Sequence, residues 1–485
     1  MSKTKILYKD IGPGSDEDAA VTSSSHLPAS DIALLPFGGT SIRSLTLEPN
    51  RWVLDGTFQF AEDQKIAFWS SELSGDDKTF TAVPAITVNF DKQYSSVGVS
   101  LIFDPACGEY CTLVNIKWYQ GDTLKADVDF EPDAPTYFCG RRVEAYNKIV
   151  IELKKTSIPH RRARLNQIIF GIHREFDMTE IRSASIINET SLSGLELPIS
   201  TMNLDIESKS DIDFMFQLKQ PLEVYNNENL IGVYYIDGSR RNGKSYYSIE
   251  SYDAFGVLDE YPFPGGVYAN KSAKELVQEI IGDDFDVTFD GVDDMNLTGL
   301  ITAGTKREAL QQVFFPWNVI AATDGGRKIK VFPLPETVVE IGPDQIYSGV
   351  SVETSAIVTE VRVTAHTYAE DENGSIEING KKYKDTETVY TVKNPNVVAT
   401  DKQNVVEATR GTLVSTAIGQ QVAQRLYDYY MKRNTLNGKI VWSGQALGDL
   451  ATLPNAWGGK NTGHIKKMEI KLSNTVAASV ESLGV

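Results

Sequence analysis

Hydrophobic positions recur with a period of two over much of the chain. Between residues 44 and about 174, Val97, Val99, Leu101 and Phe103 alternate with smaller or polar residues, as do Val114, Ile116 and Trp118, and Ile149, Ile151 and Leu153. Short period-two runs separated by turn clusters predict a β-sandwich. After a linker over 176–195, alternation resumes at Met202, Leu204 and Ile206. In the segment 218–284, Val224, Ile231, Val233 and Ile236 predict one strand and Tyr246, Ile249 and Tyr252 another. Asp237-Gly238 and Asn242-Gly243 supply turn residues between them, because Asn and Gly tolerate positive φ.

The second of these strands reads on through 254–259 until Pro262, Pro264, Gly265 and Gly266 halt it. The period then changes. Ser272 with Glu275 three residues later is a capping box, Leu276, Val277, Ile280 and Ile281 line one helix face, and Gly282 stands where a C-terminal cap belongs. Thr305 with Glu308 opens another helix, carrying Leu310, Val313 and Phe314 up to Pro316, and Asp324-Gly325-Gly326 turns a hairpin. From near Val339, Ile357, Thr359, Val361 and Val363 mark one strand face, and Asn373-Gly374 and Asn379-Gly380 punctuate a hairpin returning over 387–392. The longest helical pattern is 412–433, with Ala417, Val422, Leu426 and Tyr429 on one face and Asn437-Gly438 closing it. Strands at 440–442 and 468–472 follow.

This pattern gives a mainly β chain with some helix, an α+β class. It divides into an N-terminal arm (1–45), a jelly-roll-like β-sandwich (46–175), a β-barrel module with helices (176–338) and a second β-barrel module with the 412–433 helix (339–485). The arm is dominated by Gly, Ser, Asp and Pro around one short strand at 6–8, and is expected to be flexible or ordered only against a neighbour. A chain of 485 residues, 41% hydrophobic, with 20 Phe, 21 Tyr and 6 Trp, has material for about three cores.

Net charge is -18, which argues against coating nucleic acid, since phosphate binding needs clustered Lys and Arg. The charge is uneven. Residues 201–300 hold 19 acidic and 7 basic side chains, whereas Lys154, Lys155, Arg161, Arg162 and Arg164 form a basic run with no acid between them. That run reads as a solvated face or as an interface docking on the acidic stretch. No run approaches the ~20 apolar residues that span a bilayer, and the N-terminus has no signal-peptide pattern, so synthesis and folding in a cytoplasm are expected.

Chemistry is sparse. Cys107, Cys111 and Cys139 are too few and irregular for a disulfide framework or a zinc ribbon and read as ordinary thiols. The aspartates from Asp283 to Asp294 lack the offsets of a calcium loop. His26, His160, His173, His366 and His464 are scattered, and no metalloprotease, nucleophile-elbow or phosphate-loop motif occurs. No catalytic, cofactor or metal residue is nominated, and the chain is read as a non-enzyme without cofactors.

The order of elements in 218–284, a hairpin with a glycine turn, YSIESYDAFGVLDE, an aromatic-Pro-Gly-Gly turn and an amphipathic helix, resembles the baseplate hub proteins of contractile phage tails and phage-tail-like bacteriocins, the late-control-D and spike-hub relatives. The resemblance covers about 185–485. It implies two related barrels per chain and a homotrimer that joins a hexameric tail tube to a trimeric central spike, with wedge and LysM-type tail proteins as further partners. The location it implies is the baseplate of a phage tail or tail-like particle, assembled in a bacterial cytoplasm. Residues 46–175, opening on NRWVLDGTF and closing on KIVIELKKTSIPHRRARLNQIIFG, resemble a galactose-binding-like jelly roll. Such domains bind glycans through loops bearing Trp, Tyr and Arg, which brings in Trp69, Tyr119 and Arg141 with Arg142, while alternation assigns Trp118 to the core. A glycan-binding tail adhesion protein is therefore the alternative function, and a tail-associated cell-wall hydrolase the third.

Overall fold

A computed structural model describes residues 4–12, 14–40, 43, 46, 48–49, 51, 55–58, 66–104, 106–209, 216–323, 328–398, 402–472 and 476–484. The chain forms two compact units: Leu7–Glu175, and Phe176–Val485 together with Met1–Ile6. The first unit is therefore an insertion into the second. It interrupts a sequence that begins with the strand Thr4–Lys9, whose Ile6 and Tyr8 are fully buried.

Within Leu7–Glu175, one antiparallel sheet runs in the order Phe68–Trp69, Arg164–Phe170, Ala85–Phe103, Thr136–Thr156, Cys111–Gln120, Thr123–Phe130, with Ala20–Ser23 beside Ala85–Phe103. A single core takes residues from all of these, so the sheet must curl around it. The bulges explain how. In Ala85–Phe103, Ile86, Val88 and Phe90 are buried at even positions, and Val99, Leu101 and Phe103 at odd ones. Register shifts between Asn89 and Gly98 insert the extra residues that flip the parity, so both halves of a 19-residue strand face one core. Val114, Ile116, Trp118, Ile149, Ile151 and Leu153 are all fully buried, as their alternation predicts.

Much of the expected N-terminal arm belongs to this unit. Ala20–Ser23 pairs with Ile86–Asn89, Leu35 is fully buried, and the Asp18 carboxylate accepts from the backbone N–H groups of Asp91 and Lys92, both at 3.1 Å. A polar composition hid these contacts because their partners lie far along the chain.

The second unit is built on one large sheet. Its strand order includes Ile346–Thr354, Asn434–Val441, Ala477–Gly484, Lys460–Lys471, Ile181–Glu189, Thr201–Glu207, Tyr246–Tyr252, Asn229–Arg241 and Pro221–Asn226. The segment read as a linker over 176–195 thus contains the strand Ile181–Glu189, through which the two barrel modules share one sheet. Three helices follow Tyr246–Tyr252. Ser272 caps Ala273–Ile281 by accepting from the Glu275 N–H at 3.2 Å, and Gly282 ends it at φ 63. Leu276, Val277, Ile280 and Ile281 are fully buried, each contributing about 1.5–3 kcal/mol relative to exposure. Lys306–Trp317 carries the full Thr305/Glu308 capping box. The helix Ala254–Glu260 replaces the expected strand extension: five consecutive buried residues, Ala254 to Leu258, carry no periodicity, and the decisive signal is the Asp253 N-cap.

Other turns also shift. Asp237-Gly238 forms a bulge inside Asn229–Arg241 rather than a turn. Asn437-Gly438 lies within Asn434–Val441, and the helix before it is Gly419–Met431. Asn379 and Gly380, at φ 52 and 77, do turn Ile376–Ile378 into Lys381–Lys393. Ile320–Ala322 pairs with Ile329–Phe332, while Asp324-Gly325-Gly326 falls outside the described residues.

Candidate functional site

The residues nominated for glycan contact do not assemble into a platform. Trp69 is 6% exposed, and the Arg164 guanidinium lies 4.0 Å from its ring centroid. A sugar-stacking ring must face water, so Trp69 is a core residue. Tyr119 is half-buried with Lys148 Nζ 5.1 Å from its ring centroid, and Arg141 is exposed on Thr136–Thr156. The strands of Trp69 and Tyr119 are four places apart in the sheet order.

The arginines of the basic run find partners within their own chain. Arg161 Nε donates to Glu109 Oε1 at 2.9 Å, and Arg51 Nη1 holds Glu109 Oε2 at 2.9 Å. Arg164 pairs with Glu48 and lies 3.5 Å from Asp104. The Arg162 N–H donates to Glu48 Oε1 at 2.9 Å, and its guanidinium to the Ser70 carbonyl at 2.8 Å. Arg161 and Arg164 are buried, at 7% and 2% exposure. Burial alone would raise the Glu48 carboxyl, but Arg164, the Arg162 N–H, Thr46 and Arg51 together hold it below the usual carboxylate range. Lys154 pairs with Asp129 at 2.8 Å. The carboxylates that neutralise the arginines sit more than forty positions away in sequence, which is why the run looked unmatched. Cys111 and Cys139 are buried thiols, which burial pushes up to about 12.

In the second unit, polar side chains gather where the modules join. Ile181–Glu189 pairs antiparallel with Lys460–Lys471 from Ser185↔Lys471 to Glu189↔Lys467. Ile186, Ile470, Asn188 and Met468 alternate onto a buried face, with Tyr234 OH donating to Asn188 Oδ1 at 2.7 Å. On the other face Lys467 pairs with Glu189, and Lys466 with Glu481 at 2.6 Å. A cavity of about 390 Å³ beside the junction is lined by Glu189, Glu196, Tyr429, Tyr430 and Lys467. Two ion pairs, Glu189–Lys467 and Lys466–Glu481, border it, and the Glu196 carboxylate has no ion-pair partner among the described residues.

Two clusters lay outside the sequence reading. His366, Asp385 and Glu387 bring ligand-type atoms within 4.8 Å of one another on adjacent strands, His366 opposite Glu387. His366 Nδ1 is already 2.7 Å from Asp385 Oδ2, so a cation held here would have to displace that hydrogen bond. Asp253 is the buried cap of Ala254–Glu260; its Oδ1 accepts from the Phe255 N–H at 3.0 Å and its Oδ2 from Thr323 Oγ1 at 2.9 Å. Burial outweighs these bonds and pushes the carboxyl up to about 6. Of the calcium-like aspartates, Asp294 accepts from Ser272 Oγ at 2.6 Å and Asp284 pairs with Lys306 at 2.5 Å. Among the described residues no helix is long and apolar enough to cross a membrane.

No protein-family profile and no curated protein matches the chain. Among solved structures, it is similar to a tail protein from Neisseria meningitidis (11% identity, 64% of this chain and 93% of that one, TM-score 0.47). It is also similar to a prophage tail protein from Shewanella oneidensis (10% identity, 64% and 95%, TM-score 0.45). An Escherichia coli component of the type VI secretion system, itself described as similar to bacteriophage tail proteins, aligns at 9% identity over 63% of this chain and 74% of that one, TM-score 0.39. The chain is thus structurally similar to phage tail and tail-like secretion components at low identity.

Proposed function

We propose that the chain is a structural hub of a phage tail or tail-like contractile particle, a homotrimer joining a hexameric tail tube to a trimeric central spike. One observation carries this reading: two β-modules of like strand order joined within one chain. Three copies of such a chain offer six comparable segments to a six-fold tube while remaining three-fold for a spike. The element order of 218–284 that resembles baseplate hubs supports it. So does the character of the module junction, whose charges are paired and whose role is cohesion. Wedge and LysM-type tail proteins are the further partners this role entails. The role is structural rather than enzymatic, and a sugar-binding role for the inserted unit is disfavoured by the burial of Trp69.

Native mass spectrometry of the purified protein, alone and mixed with the spike and tube proteins of the same particle, tests the proposal. The expected result is a trimer that captures both. A chain that stays monomeric and binds neither would overturn it.

A further inference from the structure

The two modules match strand by strand. Numbered along the chain, the first consists of Ile181–Glu189, Thr201–Glu207, Pro221–Asn226, Asn229–Arg241 and Tyr246–Tyr252; the second of Ile346–Thr354, Asn434–Val441, Leu450–Pro454, Lys460–Lys471 and Ala477–Gly484. In both, the sheet order is first, second, fifth, fourth, third. The ladders fix the equivalence to the residue. Tyr235 is opposite both Tyr252 and Pro221, and His464 is opposite both Leu483 and Leu450. The fourth strand bulges at the same place, between Ile236 and Gly238 and between Ile465 and Lys467. Ahead of the third strand, Lys219 and Gly448 are both left-handed, at φ 64 and 86, and donate to the carbonyls of Ile236 and Ile465. Buried residues coincide as well: Ile236 with Ile465, Ser251 with Ser482, Met202 with Leu436.

One junction between the modules is made inside the chain, where the first strand of module one pairs with the fourth strand of module two. The reciprocal pair of edges is open. No described strand pairs with residues 238–242 on the side away from Tyr246–Tyr252, or with residues 352–354 on the side away from Asn434–Val441. Both stretches are largely exposed. The equivalence sets Glu353 opposite Arg240 and Thr354 opposite Ser239, as Ile187 is opposite Glu469 and Asn188 opposite Met468 at the closed junction. Arg240 and Glu353 are exposed, and neither has an ion-pair partner among the described residues. Leu218 supplies a second, independent sign: it is 60% exposed, while its equivalent Leu447 is 2% exposed. Beside Leu447, Gly448 lies against Ile320 and Phe332 of the preceding module. The leucine is buried beside the neighbouring module at 447 and exposed at 218.

We infer that a second copy of this chain fills the gap by strand addition: residues 351–355 of one copy pair antiparallel with 238–242 of the next, Glu353 bonding Arg240 and the incoming module covering Leu218. Such a contact is head-to-tail and repeats the internal junction between chains; it makes a ring where the rotation per copy closes and an open filament where it does not, and the hub role proposed above calls for the ring. The ring size is that of the hub proposed above, and on this point alone the inference rests on that reading.

The test is disulfide trapping in the full chain. S239C and T354C together should give, under mild oxidation, a ladder of covalent oligomers ending at the ring. A mixture of the two single variants should stop at dimers, and each single variant alone should give neither. As a second measurement, R240E and E353R should each raise the concentration for half-assembly at least tenfold, and the double variant should recover most of the loss; L218D should abolish assembly while the monomer keeps its thermal midpoint. Trapping no greater than in the single variants, or charge reversals without effect, would overturn the inference. A trimer that binds spike and tube but is not trapped would overturn the strand pairing and leave the hub reading standing. A trapped ring that ignores spike and tube would support the pairing and remove the hub.

Discussion

Two arginine runs in this chain look alike as sequence and meet opposite fates. Arg161 and Arg164 turn inward, where Glu109, Glu48 and Asp104 neutralise them beneath the surface of the inserted unit, while the half-buried Arg162 is held by the Ser70 and Ser71 carbonyls. Arg240 and Arg241 stay on a strand edge in water, Arg241 held by the carbonyls of Gly243 and Lys244 and Arg240 without a carboxylate among the described residues. The difference lies in what else the fold brings near. A buried charge must find its counter-charge inside the same chain, whereas a charge on an open edge keeps that edge soluble and leaves its pairing to another molecule.

The largest effect that would test this contrast is R164A. It strands Glu48 without its closest cation, and breaking a buried pair from one side costs about 3–5 kcal/mol. Hydrogen exchange should show residues 85–170 losing protection while the Phe176–Val485 unit keeps its own. A loss below about 1 kcal/mol would mean the cluster is not what holds that region. Adding E48Q to R164A should restore part of the loss.

Acid should separate the two regions next. Glu48 is held below its ordinary value, so its stabilisation is present above about pH 4.5 and is lost as pH falls through the folded value. Asp253, at about 6 against 3.8, works in the opposite sense: between pH 6 and 4 the folded state binds a proton that the unfolded chain does not, so acidification stabilises the region it caps. Local stabilities, read as exchange protection corrected for the intrinsic pH dependence at pH 7, 5 and 4, should therefore rise around residues 253–323 and fall at the acid end around residues 48–164, and D253N should flatten the first response. D253A should cost about 1–2 kcal/mol at neutral pH by removing the cap. Smallest of all, R240E should change the unfolding free energy of the isolated monomer by no more than about 0.5 kcal/mol, the range for exposed substitutions. A larger loss would show that Arg240 already has a structural role within the single chain.

What could be read in the sequence was what depends on near neighbours. The strands with Trp118 and Ile151 at their centres, the Thr305/Glu308 box and the Asn379-Gly380 turn are fixed by residues within a few positions of one another. The helix after Asp253 was missed because an unbroken apolar run fits either structure. The fate of Arg164 was invisible because Glu48 meets it only after folding. The resemblance implied two related barrels, but their residue-by-residue equivalence was not readable, since the modules share burial rather than identity: Met202 answers to Leu436, and Lys219 to Gly448. Bulges, which set the register and make the equivalence visible, leave no pattern in composition.

The placement of Leu7–Glu175 inside the other unit has a consequence for biosynthesis. The strand Thr4–Lys9 is translated ahead of the inserted unit, yet its neighbours in the sheet, His173–Asp177 and Pro221–Asn226, come only at the end of that unit and after it. At about 5–20 residues per second the wait is on the order of ten to forty seconds, ample time for the intervening unit to collapse around its own core. Until His173–Asp177 is made, Ile6 and Tyr8 belong to an unpaired strand, and until Pro221–Asn226 follows one edge of that strand stays open. Chains stalled with residues up to 177 just clear of the exit tunnel should therefore protect the inserted unit from protease while leaving residues 4–6 more open to cleavage, and stalling with Pro221–Asn226 also clear should close that site.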